Sequence, residues 1–407
     1  MATRAKAIEG GVVSAKGFRV GATGAAIKYE GRNDVALIVA SHPCSAAALF
    51  TTNKVAAAPV LYDRKVARNG YVQAILANSG CANACTGEAG LKDAELSALA
   101  TAGELGIDPK HVMVASTGVI GRRLPMQRLL DGMKKAAQAL DSTPEAALGA
   151  AKAIMTTDTK PKQAAARVKI GGKTVTVGGM AKGSGMIEPN MATMLAFVTT
   201  DADISPAMLK RAVKLAVAKS FNRIVVDGDE STNDSLFVLA SGDAQNPQIT
   251  LAGEDFDAFL EALSLVTISL AKQMAADGEG ATKFVTVRVK GAASDKDAAR
   301  AARAVARSPL AKTSWFGKDP NWGRVLAAVG YSGAAVEDMK AEVFYGKEWA
   351  FRRGEVADAA QLARLEKAME APTLDITVDL HLGKGEDVIY TCDFSLDYVH
   401  INADYTT

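Results

Sequence analysis

What most constrains this chain is how often its hydrophobic period changes. Short apolar runs at residues 36–40, 72–76, 112–115, 174–177, 195–198, 224–226, 236–240, 284–289, 376–380 and 388–391 are bounded by Gly, Asp or Asn and read as strands. Several lack polar alternation, so both of their faces are expected to be covered. Between them lie segments of helical period at 91–105 and 126–140. Ser142 and Glu145 are spaced as a capping box opening a helix to Met155, and Ser205-Pro206 offers an N-cap followed by proline at the first helical position. Residues 254–276 form a long helical stretch before Gly278, which suits a C′ glycine, and residues 294–307 stop short of Pro309. Strands and helices intermixed in this way predict a layered α/β protein. No Pro, Gly and Ser linker divides the chain.

Composition narrows the function. A length of 407 residues suits two or three domains, or one large one. Lys and Arg number 47 against 45 Asp and Glu, so no nucleic-acid or anionic-membrane footprint is expected. Aromatics at 6% also argue against base-stacking surfaces. Cys44, Cys81, Cys85 and Cys392 show no CxxC spacing and read as reduced thiols of a cytoplasmic protein. Neither a signal-peptide pattern nor an unbroken apolar run of ~18–20 residues is seen. His42, His111, His381 and His400 form no zinc-binding spacing, and no GxSxG elbow occurs. Gly172-Lys173-Thr174 lacks the upstream glycine of a P-loop, because position 167 is Arg. Gly183-Ser184-Gly185 lacks the third glycine of a dinucleotide fingerprint, because position 188 is Glu. Residues 288–293 fit the loose pyrophosphate pattern of acetyl-CoA-dependent N-acetyltransferases, but a plain strand-to-helix turn explains them better.

The stretch Lys182-Gly183-Ser184-Gly185-Met186-Ile187-Glu188-Pro189-Asn190-Met191-Ala192-Thr193-Met194-Leu195 remains. Two readings are open from its residues. The plainer, which composition favours, is a glycine-rich loop entering a core strand. The other is an N-terminal nucleophile. A Thr hydroxyl needs a base, and cutting the Ala192–Thr193 bond would supply one, since an α-amine has a reference pKa of about 7.7–8.0. No histidine is then required. Attack of the Thr193 hydroxyl on the Ala192 carbonyl would make the cut.

This segment resembles the self-cleavage segment of the ornithine acetyltransferase (glutamate N-acetyltransferase) family of arginine biosynthesis. Further blocks are similar, in order along the chain: residues 77–87 (Ala-Asn-Ser-Gly-Cys-Ala-Asn-Ala-Cys-Thr-Gly), 116–121, 155–159, 227–234 (Asp-Gly-Asp-Glu-Ser-Thr-Asn-Asp), 278–283, 317–324 and 398–407. The resemblance implies a layered αββα sandwich with a smaller α/β part, distinct from ordinary N-terminal-nucleophile hydrolases. It implies self-cleavage into residues 1–192 and 193–407, intertwined as one enzyme, and a heterotetramer of two of each piece.

It also assigns roles. Thr193 would be the nucleophile, and Thr117 with Gly118 the oxyanion hole. Thr156, Lys182, Thr193, Glu279, Asn402 and Thr407 would bind substrate, and Ala192–Thr193 would be the cleavage site. The implied reaction is ping-pong transfer of acetyl from N2-acetylornithine to glutamate, with no metal and no cofactor required. Some members also take acetyl-CoA as donor, and no residue here decides that. The rivals are an aminopeptidase or amidohydrolase on the same self-cleaving fold, and a non-catalytic α/β binding protein.

Overall fold

The structure is a computed structural model that describes residues 4–188 and 194–404. The first sheet contains β1 (Lys6–Ile8), β2 (Phe18–Thr23), β3 (Val35–Phe50), β4 (Tyr71–Asn78), β5 (Val112–Ser116), β6 (Lys162–Ile170), β7 (Lys173–Lys182), β8 (Leu195–Thr200) and β9 (Ser235–Ala240). Among the described residues it is nine-stranded, in the order β1-β6-β7-β8-β9-β3-β4-β5, with β2 also on β3. The 16-residue β3 is the hinge of this arrangement. It pairs with β2 through Ala40, with β4 through Val39 and again at Cys44 and Ser45, and with β9 from Ser45 to Phe50. The register breaks between Val39 and Cys44, where Ser41, His42 and Pro43 are exposed. Proline has no N–H for a ladder, so the strand bends there and the sheet folds over on itself.

Helices cover both outer faces, α1 (Ala58–Val66), α2 (Gly87–Leu105) and α3 (Met126–Gln138) on one side and α5 (Pro206–Lys219) and α6 (Glu254–Ala276) on the other, while α4 (Pro144–Ala153) packs Ala147, Ala150 and Ala151 into the core between the layers. Leu209 of α5 and Phe259 and Leu270 of α6 pack on Val177, Val198 and Val238. The opposite face of those strands turns Met180, Phe197 and Phe237 inward against Ile38 and Ile75, with Phe197 and Phe237 stacked at 5.4 Å. Leu37, Leu76 and Val114 then face α2 and α3 through Ala94, Ala98, Leu129 and Met133. Leu37 and Ile38 are adjacent and serve different layers, as the two-residue period of a strand requires. The order of layers is α, β, β, α, as the resemblance implies, and the strands read as unalternating runs because both faces are buried. Each wholly buried Leu, Ile or Phe contributes about 1.5–3 kcal/mol.

The smaller part has a six-stranded sheet in the order β13-β12-β11-β14-β10-β15. Its strands are β10 (Phe284–Ala292), β11 (Glu342–Tyr345), β12 (Glu348–Arg352), β13 (Glu355–Val356), β14 (Thr373–Asp379) and β15 (Gly385–Cys392). Its helices are α7 (Asp295–Arg307), α8 (Pro309–Phe316), α9 (Trp322–Gly330) and α10 (Ala359–Met369), and α11 (Leu396–Asp404) follows. On α7, Ala298, Ala301, Ala302 and Val305 form the buried stripe, and Ser294 caps it by accepting the N–H of Asp297 at 3.2 Å.

Some sequence expectations change. Residues 224–226 are not a strand: the N–H of Val225 bonds to Tyr390 O (2.9 Å) and that of Val226 to Ile187 O (2.7 Å). The run is apolar because it is buried while crossing between two partners, so no ladder forms. Thr143, not Ser142, caps α4, accepting the N–H of Ala146 at 3.3 Å, and the helix ends at Ala153. Gly278 follows α6 without a left-handed φ; it is small because a Cβ would lie 2.7 Å from Cys392 Sγ. Helix α6 is also long and apolar enough to cross a membrane by length and composition, yet Phe259, Leu263, Val266 and Leu270 bury it in the core.

Candidate active site

The site gathers at one end of the folded sheet. Asn78 and Ser116, the last residues of β4 and β5, pair with each other, while Lys182 at the end of β7 pairs with Leu195, and Leu195 with Ser235 at the start of β9. Side chains on the loops leaving these ends therefore converge although they are distant in sequence.

Thr117 and Gly118 turn away from β5. The N–H of Thr117 donates to Asn78 O at 3.0 Å. Gly118 has φ +130°, and a Cβ on it would lie 2.4 Å from the carbonyl carbon of Gly80, so only glycine fits. The Asn233 amide locks the turn from the facing strands by donating to Ala82 O (2.7 Å) and Ser116 O (2.8 Å).

Lys182 is buried at 6% exposure, and its ammonium donates to Thr156 Oγ1 (2.8 Å) and Thr117 Oγ1 (3.2 Å). Burial pushes its pKa down, and the Asp158 carboxylate is the largest influence pulling it back. Glu279 lies beyond α6, with its N–H on Ser184 O (2.9 Å) and its carboxylate accepting the Asn402 amide at 2.9 Å. Helix α11 brings Asn402 over, so the chain's end does fold back as far as this residue. Thr117, Gly118, Thr156, Lys182, Glu279 and Asn402 all line one cavity of about 120 Å³. Ala192, Thr193 and Thr407 lie outside the described residues.

The segment between β7 and β8 is held from both sides by buried or half-buried carboxylates. Asp227 accepts the N–H groups of Met186 (2.6 Å) and Ile187 (2.8 Å); burial raises its pKa to about 6 against these bonds. Asp234 Oδ1 accepts the N–H of Met194 at 2.9 Å, while Oδ2 is buried with no hydrogen-bond partner among the described residues. Burial pushes the Asp234 carboxyl well above the usual range. The block 227–234 shares in the resemblance, but no role for it is legible in the sequence. Its mark in the sequence is an acidic and polar run between two apolar runs, 224–226 and 236–240. Asp158, in the similar block 155–159, carries no assigned role either, and Lys162 and Asp277, which brace the site with it from behind, lie in none of the similar blocks.

The ArgJ family profile matches residues 19–407. The chain is 52% identical over 404 residues to the arginine biosynthesis bifunctional protein ArgJ of Symbiobacterium thermophilum, covering 98% of this chain and 99% of that one. The protein of the same name from Geobacter sulfurreducens is 50% identical over 97% of this chain and all of its own length. The crystal structure of arginine biosynthesis bifunctional protein ArgJ from Bacillus halodurans matches with a TM-score of 0.50 and 43% identity, over 52% of this chain and 100% of that chain. By profile and by relatives, the chain belongs to the ArgJ family.

Proposed function

We propose that this chain transfers the acetyl group of N2-acetylornithine to glutamate, giving ornithine and N-acetylglutamate in arginine biosynthesis, through an acetyl ester on Thr193. The observation that carries the reading is the convergence of Thr117, Gly118, Thr156, Lys182, Glu279 and Asn402 on one cavity at the strand ends that flank the Thr193 segment. Membership of a family whose relatives are named for arginine biosynthesis supports it.

The enzyme first cuts itself. The Thr193 hydroxyl adds to the Ala192 carbonyl, the amide shifts to an ester, and water releases the Ala192 carboxylate and a free Thr193 α-amine. That amine then takes the hydroxyl proton while the oxygen attacks the acetyl carbonyl. The developing oxyanion is met by the Gly118 N–H and the Thr117 hydroxyl. The N–H of Thr117 is already spent on Asn78, and Lys182 donates to Thr117 Oγ1, so the hydroxyl keeps its own proton to donate to the oxyanion. Losing one such donor costs roughly 3–4 kcal/mol of transition-state stabilisation. The proton held by the amine goes to the departing nitrogen, and ornithine leaves. The neutral α-amine of glutamate attacks the ester and regenerates Thr193.

Lys182 and Thr156 receive the substrate carboxylate, and Glu279, oriented by Asn402, receives the ornithine ammonium; Thr407 completes the substrate shell. One amide is exchanged for another, so no cofactor is needed, and acetyl-CoA serves as an alternative donor, in keeping with the "bifunctional" in the relatives' name. The site must keep water from the acetyl ester. The two pieces act in the cytoplasm as a heterotetramer of two of each. The Bacillus halodurans chain, covering 52% of this one and all of itself, has about the extent of a piece beginning at residue 193.

The test is the intact mass of the purified protein together with the exchange assay. Two polypeptides meeting at Ala192 and Thr193, and N-acetylglutamate formed from N2-acetylornithine and glutamate, are expected. Thr193→Ala should run as one inactive chain. Acetate released at the same rate with and without glutamate would make the enzyme a hydrolase, and an active uncut chain would end the mechanism.

A further inference from the structure

Thr156, Lys182 and Glu279 come from separate stretches of chain, yet one buried ion cluster ties their backbones together. Asp158 Oδ2 accepts the N–H of Thr156 (3.0 Å), and Oδ1 accepts that of Gly183 (2.7 Å), the residue after Lys182. Lys162 on β6, 1% exposed, stands between Asp158 and Asp277 at 2.6 Å from each. Asp277 is the C-cap of α6; its carboxylate accepts the N–H of Thr159 (3.0 Å), and its carbonyl accepts the Ser184 hydroxyl (2.7 Å). Ser184 O in turn takes the N–H of Glu279 (2.9 Å).

Two carboxylates and one ammonium leave this cluster one negative charge in excess. Buried charge is tolerated only when compensated, and Lys182 is the cation next to it. Among the described residues, however, Lys182 makes no direct ion pair with Asp158. Both Asp158 oxygens are already engaged, Oδ1 by Lys162 and Gly183 and Oδ2 by the N–H of Thr156. The Lys182 ammonium points instead at the Thr156 and Thr117 hydroxyls, on the wall of the cavity.

We infer that Asp158 and Lys162 are positioning residues, Asp158 keeping Lys182 charged and Lys162, by occupying Asp158, leaving that charge unneutralised, so that the Lys182 ammonium is held ready for the carboxylate common to the acetyl donor and acceptor. This rests on the reading of Lys182 as the carboxylate-binding group. The charged groups facing Lys182 are Asp158, Lys162, Glu279 and Asp234. Burial lowers the Lys182 pKa, Asp158 raises it and Lys162 lowers it. Asp158 itself is opposed by burial, but Lys182 and then Lys162 hold it at about 2, so it stays ionised throughout the working range.

The experiment is KM for N2-acetylornithine against pH in the full processed enzyme, with kcat followed in parallel. KM should rise on the alkaline side as Lys182 loses its proton. Asp158→Asn should move that rise down by about one pH unit, roughly tenfold in KM where wild type is still charged, with kcat much less affected. Lys162→Gln should move it the opposite way. Lys182→Arg, which does not titrate in this range, should abolish the rise. A structural brace would instead lower kcat and raise KM in both variants without opposite displacements, and that result overturns the inference. If only one of the two variants folds, its direction decides. If neither folds, a rise that persists in Lys182→Arg overturns it and its disappearance supports it. Lys182→Met separates the two levels: an unchanged KM would sink the carboxylate-binding reading itself, whereas a raised KM without opposite shifts in the other variants would sink only this inference.

Discussion

Two glycines of the site show how the same missing side chain can serve different ends. At Gly118 an added Cβ meets backbone, 2.4 Å from the Gly80 carbonyl carbon, at a φ of +130°. Backbone cannot yield there, so Gly118→Ala should destabilise the protein by about 1–3 kcal/mol and remove the turn proposed as the oxyanion hole. At Gly185 the added Cβ meets the end of a flexible side chain, the Glu279 carboxyl, at 2.4 Å. Gly185→Ala should therefore swing Glu279 off its bond with Asn402. Thermal denaturation should change by less than about 1 kcal/mol while KM for N2-acetylornithine rises roughly tenfold. Equal stability losses in the two variants would refute the distinction.

At the scale of elements, the link from β7 to β8 is governed by carboxylates on the stretch leading into β9. Asp227 holds Met186 and Ile187, and Asp234 holds Met194, so the chain is gripped on either side of the proposed cut. Burial lifts the Asp227 pKa from 3.8 to about 6. A raised carboxyl pKa means that the folded state binds the proton more tightly than the unfolded one. Its contribution to stability is thus fully present below about pH 4 and is lost as pH rises through about 6. The swing is about 3 kcal/mol at most. Urea denaturation at pH 4 and pH 7, in an uncut Thr193→Ala background, should show a steeper decline for the parent than for the added Asp227→Asn. Equal slopes would exclude Asp227 as the source.

For the whole molecule, the position of the proposed cut matters more than its chemistry. Strands β8 and β9 follow residue 193 in sequence but lie between β7 and β3, which precede it. Pieces 1–192 and 193–407 therefore share the centre of one sheet. They should co-purify after cleavage and separate only in denaturant, as size-exclusion chromatography in native buffer and in urea would show. Dissociation in native buffer would contradict this shared sheet.

The linear chain already carried the alternation of apolar runs and helical stretches, because burial on both strand faces leaves runs without polar interruption, as in 36–40 and 236–240. It carried the glycine-rich segment before Thr193 and, through its similarity to a known family, the residues that line the cavity. Residues 224–226 misled because an apolar run reports burial and not a ladder partner. The ion cluster of Asp158, Lys162 and Asp277 was invisible because its last member lies 115 residues beyond Lys162 and meets it only in the folded sheet. Local pattern determines what each stretch prefers to become. Which charges are buried together, and which cation faces the cavity without an ion pair among the described residues, is decided only when the β3 bend brings the strand ends to one place.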